Sequence, residues 1–188
     1  MGTTGSVEQG REVRSRLLAA AAELIAERGW TGVRTRPLAE RAGVGPGLVH
    51  YHFSSLQALL SEAALSALRG LVERLGVLLD QARDVDEGLD ALLVALDRYS
   101  GRDATSLLCG EAYLAATRDP ELCERLAGLL AEARGRFARW LAENGAPTPE
   151  ATAAVLAAAI DGVMLHRPLN PGLTSAHVGP VLRRLLRP

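Results

Sequence analysis

The sequence predicts an all-α protein: an N-terminal three-helix domain built on a helix-turn-helix, followed by a C-terminal helical bundle, about nine helices in all. Three observations carry this. Leu and Ala dominate while aromatic residues make up only 4% of the chain, a bias that favours helix over sheet. Apolar residues recur at helical spacing. The periodic stretches are closed by Gly or opened by Ser, Thr or Asp, often with Pro next. At 188 residues the chain can bury roughly 70% of the surface it exposes when unfolded, enough for one compact unit or two small domains.

Taken in order, residues 1–10 (MGTTGSVEQG) read as a disordered leader. From Arg11 the run REVRSRLLAAAAELIAER sets Val13, Leu17, Leu18, Ala21, Leu24 and Ile25 on one stripe, with Gly29 as the terminating residue. Thr35 stands where an N-cap is wanted, and Pro37 falls in a first turn, where a missing N–H costs nothing. This short helix ends at Ala42, and Gly43 can take the left-handed conformation of a sharp turn. Pro46 opens another short helix through His52, and Ser54 or Ser55 caps a long one to about Gln81.

The body after residue 57 reads as further helices. VDEGLDALLVALDRYS carries Leu89, Leu92, Leu93 and Leu96, with Tyr99 extending the stripe; Asp103 caps the next helix, which sets Cys109 and Tyr113 one turn apart. Asp119-Pro120 starts a helix whose buried side is Leu122, Leu126, Leu129, Leu130, Ala133, Phe137, Trp140 and Leu141, and Gly145 stops it. Thr148-Pro149-Glu150 starts another in the same style. No repeat or low-complexity linker interrupts the chain, so the divisions expected are a leader over 1–10, a head over 11–57 and a body over 58–188.

All 21 basic residues are Arg, so any phosphate contact falls to a planar guanidinium or an uncharged donor. Residues 1–57 carry seven Arg against five Glu, a balance of +2; the rest carries fourteen Arg against seventeen acids, a balance of -3. The head is slightly basic on an acidic body. Two cysteines, Cys109 and Cys123, and no secretory h-region suit a reduced cytoplasmic protein with half-buried thiols. No apolar run reaches the ~18 residues that span a bilayer.

Three positions in the head have linked jobs. Ala39 is small, Gly43 sits at the turn and Val49 lies six residues further. In a helix-turn-helix the second helix crosses the first closely only if the facing residue is small, the turn is permissive and an aliphatic residue plugs the angle. With this pattern on the page, GWTGVRTRPLAERAGVGPGLVHYHFSSLQALL, residues 29–60, resembles the N-terminal DNA-binding domain of the TetR family of transcriptional regulators. The resemblance rests on Gly29 and the aromatic after it, Leu38-Ala39, Ala42-Gly43-Val44, and the ring-rich end at Phe53 followed by Leu59-Leu60. It implies a cytoplasmic homodimer whose heads read successive major grooves of a palindromic double-stranded operator. It also implies a helical body, 58–188, for dimerisation and for a small-molecule effector, and most often a repressor released by that effector.

On this resemblance Thr35 donates to a phosphate and Arg36 reaches a guanine edge or a phosphate. Pro46 and Gly47, with Gly45, shape a slim entry to the recognition helix so that backbone N–H groups can approach phosphate. Leu48 faces bases; His50, Tyr51 and His52 bond phosphates or base edges. Two positions depart from the family pattern: Leu56 stands where many members have a phosphate-clamping Lys, and Pro46 where a polar or basic residue is usual. Affinity then leans on Arg36, Arg34 and helix-end amides, with a shallow salt slope.

Other readings stay open. Tyr51 can pack under the turn, and His50 can simply satisfy helix-end carbonyls. Arg11, Arg14, Arg16, Arg28 and Arg41 read as solvated charges. His50 and His52 lie ~200° apart on a helix and cannot share a metal, so neither metal nor cofactor is expected. No phosphate loop, metal spacing or nucleophile elbow points to an enzyme.

In the body, Tyr99, Cys109, Tyr113, Trp140 and Met164 are pocket candidates, and Glu111 and Asp161 are possible partners for a cationic ligand. The last two helices of each subunit form the family's dimer bundle, and Ile160-Asp161-Gly162-Val163 resembles an element of the first. The interface candidates are Leu156, Ile160, Gly162, Val163, Val178, Val181, Leu182 and Leu185; the other reading has both helices covering the monomer core. An alternative for the whole chain is a ligand- or partner-binding helical scaffold with a degenerate head.

Overall fold

Punctuation by Gly, Pro and short polar residues yields nine α-helices and no strand among the described residues, 3–187 of the computed structural model. They are α1 (Thr3–Arg28), α2 (Thr35–Arg41), α3 (Pro46–His52), α4 (Leu56–Asp80), α5 (Val85–Leu96), α6 (Ala104–Ala116), α7 (Pro120–Glu143), α8 (Pro149–His166) and α9 (Ser175–Leu182). Single 3-10 turns follow α1 at Trp30–Gly32 and α9 at Arg183–Leu186. The stops fall where the sequence places them: Gly29, Gly43 and Gly145 have φ of 72, 64 and 75°, a region that glycine enters without strain.

Several starts are capped by side chains. Ser55 Oγ accepts the Ala58 N–H at 3.0 Å, Asp103 accepts that of Ser106 at 3.0 Å, and Asp119 accepts those of Glu121 and Leu122 at 3.0 and 3.1 Å. Asp84, not foreseen as a cap, accepts the Glu87 N–H at 2.9 Å. Each bond gives a partner to a donor that the first turn leaves open.

Three expectations need correction. The leader is helical from Thr3 onward, so α1 begins well before Arg11; Met1 and Gly2 lie outside the described residues. No proline interrupts 3–10, and a helix already nucleated by a buried stripe propagates through glycine at a cost of about 1 kcal/mol each. Thr35 is the first residue of α2 rather than its cap; extended Arg34 precedes it, and no side chain caps that start. Thr148 precedes α8 in the left-handed region at φ 42° without a cap bond from its hydroxyl. Its backbone carbonyl accepts the first intrahelical bond, from the Thr152 N–H at 2.9 Å.

The helices gather into two compact units. One unit holds 1–68 with 107–123; the other holds 69–106 with 124–188. In the first, Leu17, Leu24 and Ile25 of α1, Leu38 and Ala39 of α2, Val49 of α3 and Leu59 and Leu60 of α4 are all sealed from solvent. Helix α1 packs on α2, and α2 on α3. Ion pairs lie over this core. Arg41 on α2 bonds Glu27 at 2.8 Å and Glu23 at 3.0 Å on α1, and its hydrogen bond holds the Glu27 carboxyl below its ordinary value. Arg14 on α1 reaches Glu62 on α4 at 2.5 Å and lies 4.9 Å over the Phe53 ring. The reading of Arg14 and Arg41 as solvated charges is therefore corrected, since both fasten helix to helix. Neither cysteine forms a disulfide; Cys109 is buried and Cys123 exposed.

In the second unit the polar centre is Arg167, buried just after α8. Its guanidinium donates to the carbonyls of Leu96 at 2.7 Å and Tyr99 at 2.6 Å, where α5 ends, and to that of Leu173 at 2.9 Å before α9. It also meets Asp97 at 3.1 Å. Asp97 in turn accepts the Ser175 amide at 2.9 Å and the Ser175 hydroxyl at the start of α9. One guanidinium thus adds donors to the carbonyls at and just beyond the end of α5 and fixes the bend between α8 and α9. Close approaches support it. Gly101 has φ 78°, and a Cβ there would stand 2.6 Å from the Met164 carbonyl. A Cβ on Gly179 of α9 would stand 3.0 Å from Leu93 of α5. On α5, Gly88 lies under the Trp140 indole of α7, which stacks on Phe137 with centroids 6.3 Å apart.

Two predictions follow from this packing. A Cβ on Gly88 would stand 2.7 Å from Trp140 Cζ2, so Gly88→Ala should displace the indole. The overpacking outweighs the gain in helix propensity, giving a loss of about 1–2 kcal/mol in urea melts and a shifted tryptophan emission. The second concerns acid. The Ser175 hydroxyl lowers the Asp97 carboxyl below its ordinary value; burial opposes this, while the Ser175 amide and Arg167 add to it. A depressed folded value means that Asp97's contribution is complete above the ordinary aspartate value and drains as pH falls through the lowered one. Stability measured between pH 7 and 3 should therefore decline less steeply on the acid side in Asp97→Asn, from a lower plateau.

Candidate nucleic-acid interface

The recognition segment is built by the turn before it. Gly43 N–H bonds the Glu40 carbonyl at 3.1 Å and Val44 N–H the Ala39 carbonyl at 3.0 Å, which reverses the chain within a few residues. Extended Gly45 (φ -70°, ψ 143°) then leads into Pro46 as the first residue of α3. Within α3 Val49 is completely buried, and Phe53 just beyond it is also buried, its N–H bonding the Val49 carbonyl at 3.0 Å. With 49 and 53 inward, helical geometry turns 47, 48, 50 and 51 outward.

Solvent exposure agrees. Pro46, Gly47, Leu48 and His50 are exposed, and Tyr51 is 80% exposed, which removes the reading of Tyr51 packed under the turn. His52 is half-buried and leans the other way. Its ring meets Tyr51 edge-on at 5.0 Å, and its Cε1 lies 3.9 Å from where a Cβ on Gly10 of α1 would stand. His50 and His52 thus occupy different faces, and His52 is shared with α1. A Cβ added at Gly45 or Gly47 meets nothing within 4 Å, so packing inside the subunit requires neither glycine.

On α2, Thr35 is half-buried, while the Arg36 side chain is 84% exposed and pairs with Glu40 one turn on at 3.1 Å. Such an exposed i,i+4 pair is worth about 0.3–0.5 kcal/mol and yields readily to a stronger anion. Arg34 is committed differently: its guanidinium folds back onto the carbonyls of Thr31 at 2.5 Å and Val33 at 3.0 Å. The exposed face from Pro46 to Tyr51 carries no carboxylate.

The body candidates are placed less simply. Cys109 and Tyr113 belong to the first unit, and Tyr99, Trp140 and Met164 to the second, so the five are not gathered within one unit. Glu111 does not stand ready for a cationic ligand, since it accepts the Trp30 backbone N–H at 2.7 Å. Of the dimer candidates, Leu156, Val163 and Leu182 are buried in the subunit's own core. Ile160, Gly162 and Val178 are half-buried; Val181 and Leu185 are exposed. Val155 and Leu165, not singled out from the sequence, are also exposed on α8. With Ala151, Ala158 and Gly162 they form an outward apolar stripe at 151, 155, 158, 162 and 165. Apolar residues surround α8, which hides its inward face from a periodicity argument. No helix among the described residues is long and apolar enough to cross a membrane, and no group of three or more His, Cys, Asp or Glu among them could hold a metal ion.

Comparison with known proteins meets this geometry at both ends of the chain. Residues 17–63 match the model of bacterial regulatory proteins of the tetR family. Residues 83–188 match a tetracyclin repressor-like C-terminal domain. No curated protein matches at a significant level. Among solved structures, a transcriptional regulator of Streptomyces coelicolor A3(2) is 32% identical over 94% of this chain and 99% of its own, with a TM-score of 0.77. One from Rhodococcus sp. Rha1 is 29% identical over 92% of this chain and 93% of its own, with a TM-score of 0.73. A regulator of Saccharomonospora viridis in complex with choline shares the fold at 23% identity and a TM-score of 0.73, over 93% of this chain and 95% of that one. With an outward three-helix head in front and a matching C-terminal domain behind, the chain belongs to the TetR family of bacterial transcriptional regulators.

Proposed function

We propose that this protein is a cytoplasmic homodimeric repressor that reads a palindromic DNA operator and is released from it by a small-molecule effector. One observation carries the DNA reading: α3 is anchored by Val49 and Phe53 while Leu48, His50 and Tyr51 stand in solvent. A short helix so presented suits a major groove, with Leu48 toward a thymine methyl and Tyr51 and His50 toward base edges or phosphates. The clearance at Gly45 and Gly47, unused inside the subunit, supports close approach to a backbone. Arg36 and Thr35 serve phosphate or a guanine edge, and His52 orients Tyr51.

The dimer reading is supported by the outward stripe on α8 with Val181 and Leu185 beyond it, since two weak heads gain affinity only when linked. For release, α4 runs unbroken from Leu56 to Asp80 and contributes to both compact units. An effector among the body helices that displaces its far end alters the spacing of the two recognition helices, which need centres near ~34 Å or a multiple. The choline complex of a protein with this fold supports a small molecule as the effector class.

Selection from random duplex DNA should yield a palindrome bound by the dimer in the presence of competitor DNA. Tyr51→Ala and Arg36→Ala should each weaken binding by roughly 5- to 100-fold. Tyr51→Ala should relax sequence preference, whereas Arg36→Ala should flatten the salt dependence by about one phosphate per half-site. Enrichment of no sequence would overturn the reading. For the interface, Val155→Glu or Val181→Glu should weaken the dimer about tenfold or more in sedimentation equilibrium while each subunit stays folded by circular dichroism. Dimers unaffected by both substitutions would place the contact elsewhere.

A further inference from the structure

Glu111 lies on α6, in the segment 107–123 that shares a compact unit with the N-terminal helices. Its Oε2 accepts the backbone N–H of Trp30 at 2.7 Å, across 81 residues of sequence. Both carboxylate oxygens lie 3.4 Å from where a Cβ on Gly29 would stand. Gly29 is specified by its positive φ of 72°, and the carboxylate lies in van der Waals reach of it. The site is the break at which α1 ends and a 3-10 turn begins, where a backbone donor without a helical acceptor needs an outside partner. Trp30 carries the connection on: its ring is buried and its indole N–H donates to Gln57 Oε1, in the first turn of α4, at 2.9 Å.

We propose that Glu111 is a positioning residue of the switch, the latch that fastens α6 to the end of α1 and through Trp30 to the start of α4. A displacement of α6 then either drags the helices that frame α3 or opens this bond. A carboxylate–amide bond is of the charge-assisted kind, stronger than a neutral pair. The latch itself is a feature of one unit; its consequence for DNA rests on the function proposed above.

Because coupling between two sites is reciprocal, DNA acting on the head must also act on α6, and the latch is testable without knowing the effector. The experiment is amide hydrogen exchange on the full-length protein, as wild type, Glu111→Ala and Glu111→Gln, with and without the palindromic duplex selected above. Without DNA, Glu111→Ala should exchange about tenfold faster over both 29–33 and 107–118. Glu111→Gln, which keeps an acceptor oxygen, should stay close to wild type. With duplex, wild type should slow its exchange over 107–118, and Glu111→Ala should bind the duplex yet lose that slowing. Unchanged exchange of Glu111→Ala in both segments would overturn the latch. So would equal duplex-induced slowing in wild type and Glu111→Ala, or none in wild type. A wild type that selects no duplex defeats the DNA reading alone, and the DNA-free comparison still decides the latch. Should Glu111→Ala not fold, Glu111→Asp, whose carboxylate is drawn back by one methylene, replaces it with the same expected outcomes.

Discussion

A helix of seven residues cannot hold itself up in water, and α3 has no more than that, from Pro46 to His52. Nucleation costs more than so few backbone bonds return, so its existence and its direction come from tertiary contact. That contact is one fully buried valine, Val49, with Phe53 after it. It works because α2 offers Ala39 in the opposing helix and because Gly43 reverses the chain at φ 64°. Everything that α3 presents outward is decided by this small inward anchor. A larger residue at 39 would push α3 away and re-aim Leu48 and Tyr51 without touching either.

The anchor needs a frame that does not move, and the frame is made of guanidinium groups. Arg41 ties α2 to α1 through two glutamates, and Arg14 ties α1 to α4 while covering Phe53. These pairs are partly exposed, so each contributes little energy alone. Their value is geometric: they act at points where short helices have few apolar contacts to fix their angle. The second unit solves a similar problem with a buried group. Arg167 takes carbonyls from the end of α5 and from the approach to α9. A buried charge is tolerated there because its donors and its carboxylate partner are placed together.

The parts of this architecture that were legible in the sequence are local. Gly29, Gly43 and Gly145 announce positive φ, and Asp103 and Asp119 announce helix starts, because a cap or a stop acts within four residues of itself. Thr35 and Thr148 show the edge of that method. The residue type suits a cap, but capping also needs the extended backbone that Arg34 has and Thr148 lacks. The Ala39, Gly43 and Val49 pattern was legible because a helix crossing imposes fixed spacing. Arg14 with Glu62, Arg41 with Glu23 and Glu27, Glu111 with Trp30 and Arg167 with Leu96 were not. Each joins positions far apart in sequence, and nothing periodic marks a side chain that will reach another element. The inward face of α8 was hidden for a different reason: with Ala on every side of the helix, no face is written in its composition, and Leu156 and Val163 lie inward.

The charge pattern of the head sets how a nucleic acid could be held. All its cations are Arg, and of the seven before residue 58, Arg14 and Arg41 hold carboxylates within the unit and Arg34 bonds its own backbone. Because Glu62 lies beyond residue 57, its pairing with Arg14 brings the head's balance of +2 down to about +1. Leu56, at the start of α4, adds none. On the proposed reading, long-range electrostatic attraction is weak, and little counterion release is available to make binding tight without regard to sequence. Discrimination then falls to the neutral surface of α3, where shape, the Leu48 side chain and the hydrogen bonds of Tyr51 and His50 decide. Such a surface tolerates mismatches poorly, because few phosphate contacts remain to hold the protein on a wrong site. Linking two heads is then a requirement of the chemistry, since one lightly charged seven-residue helix cannot hold duplex DNA for long.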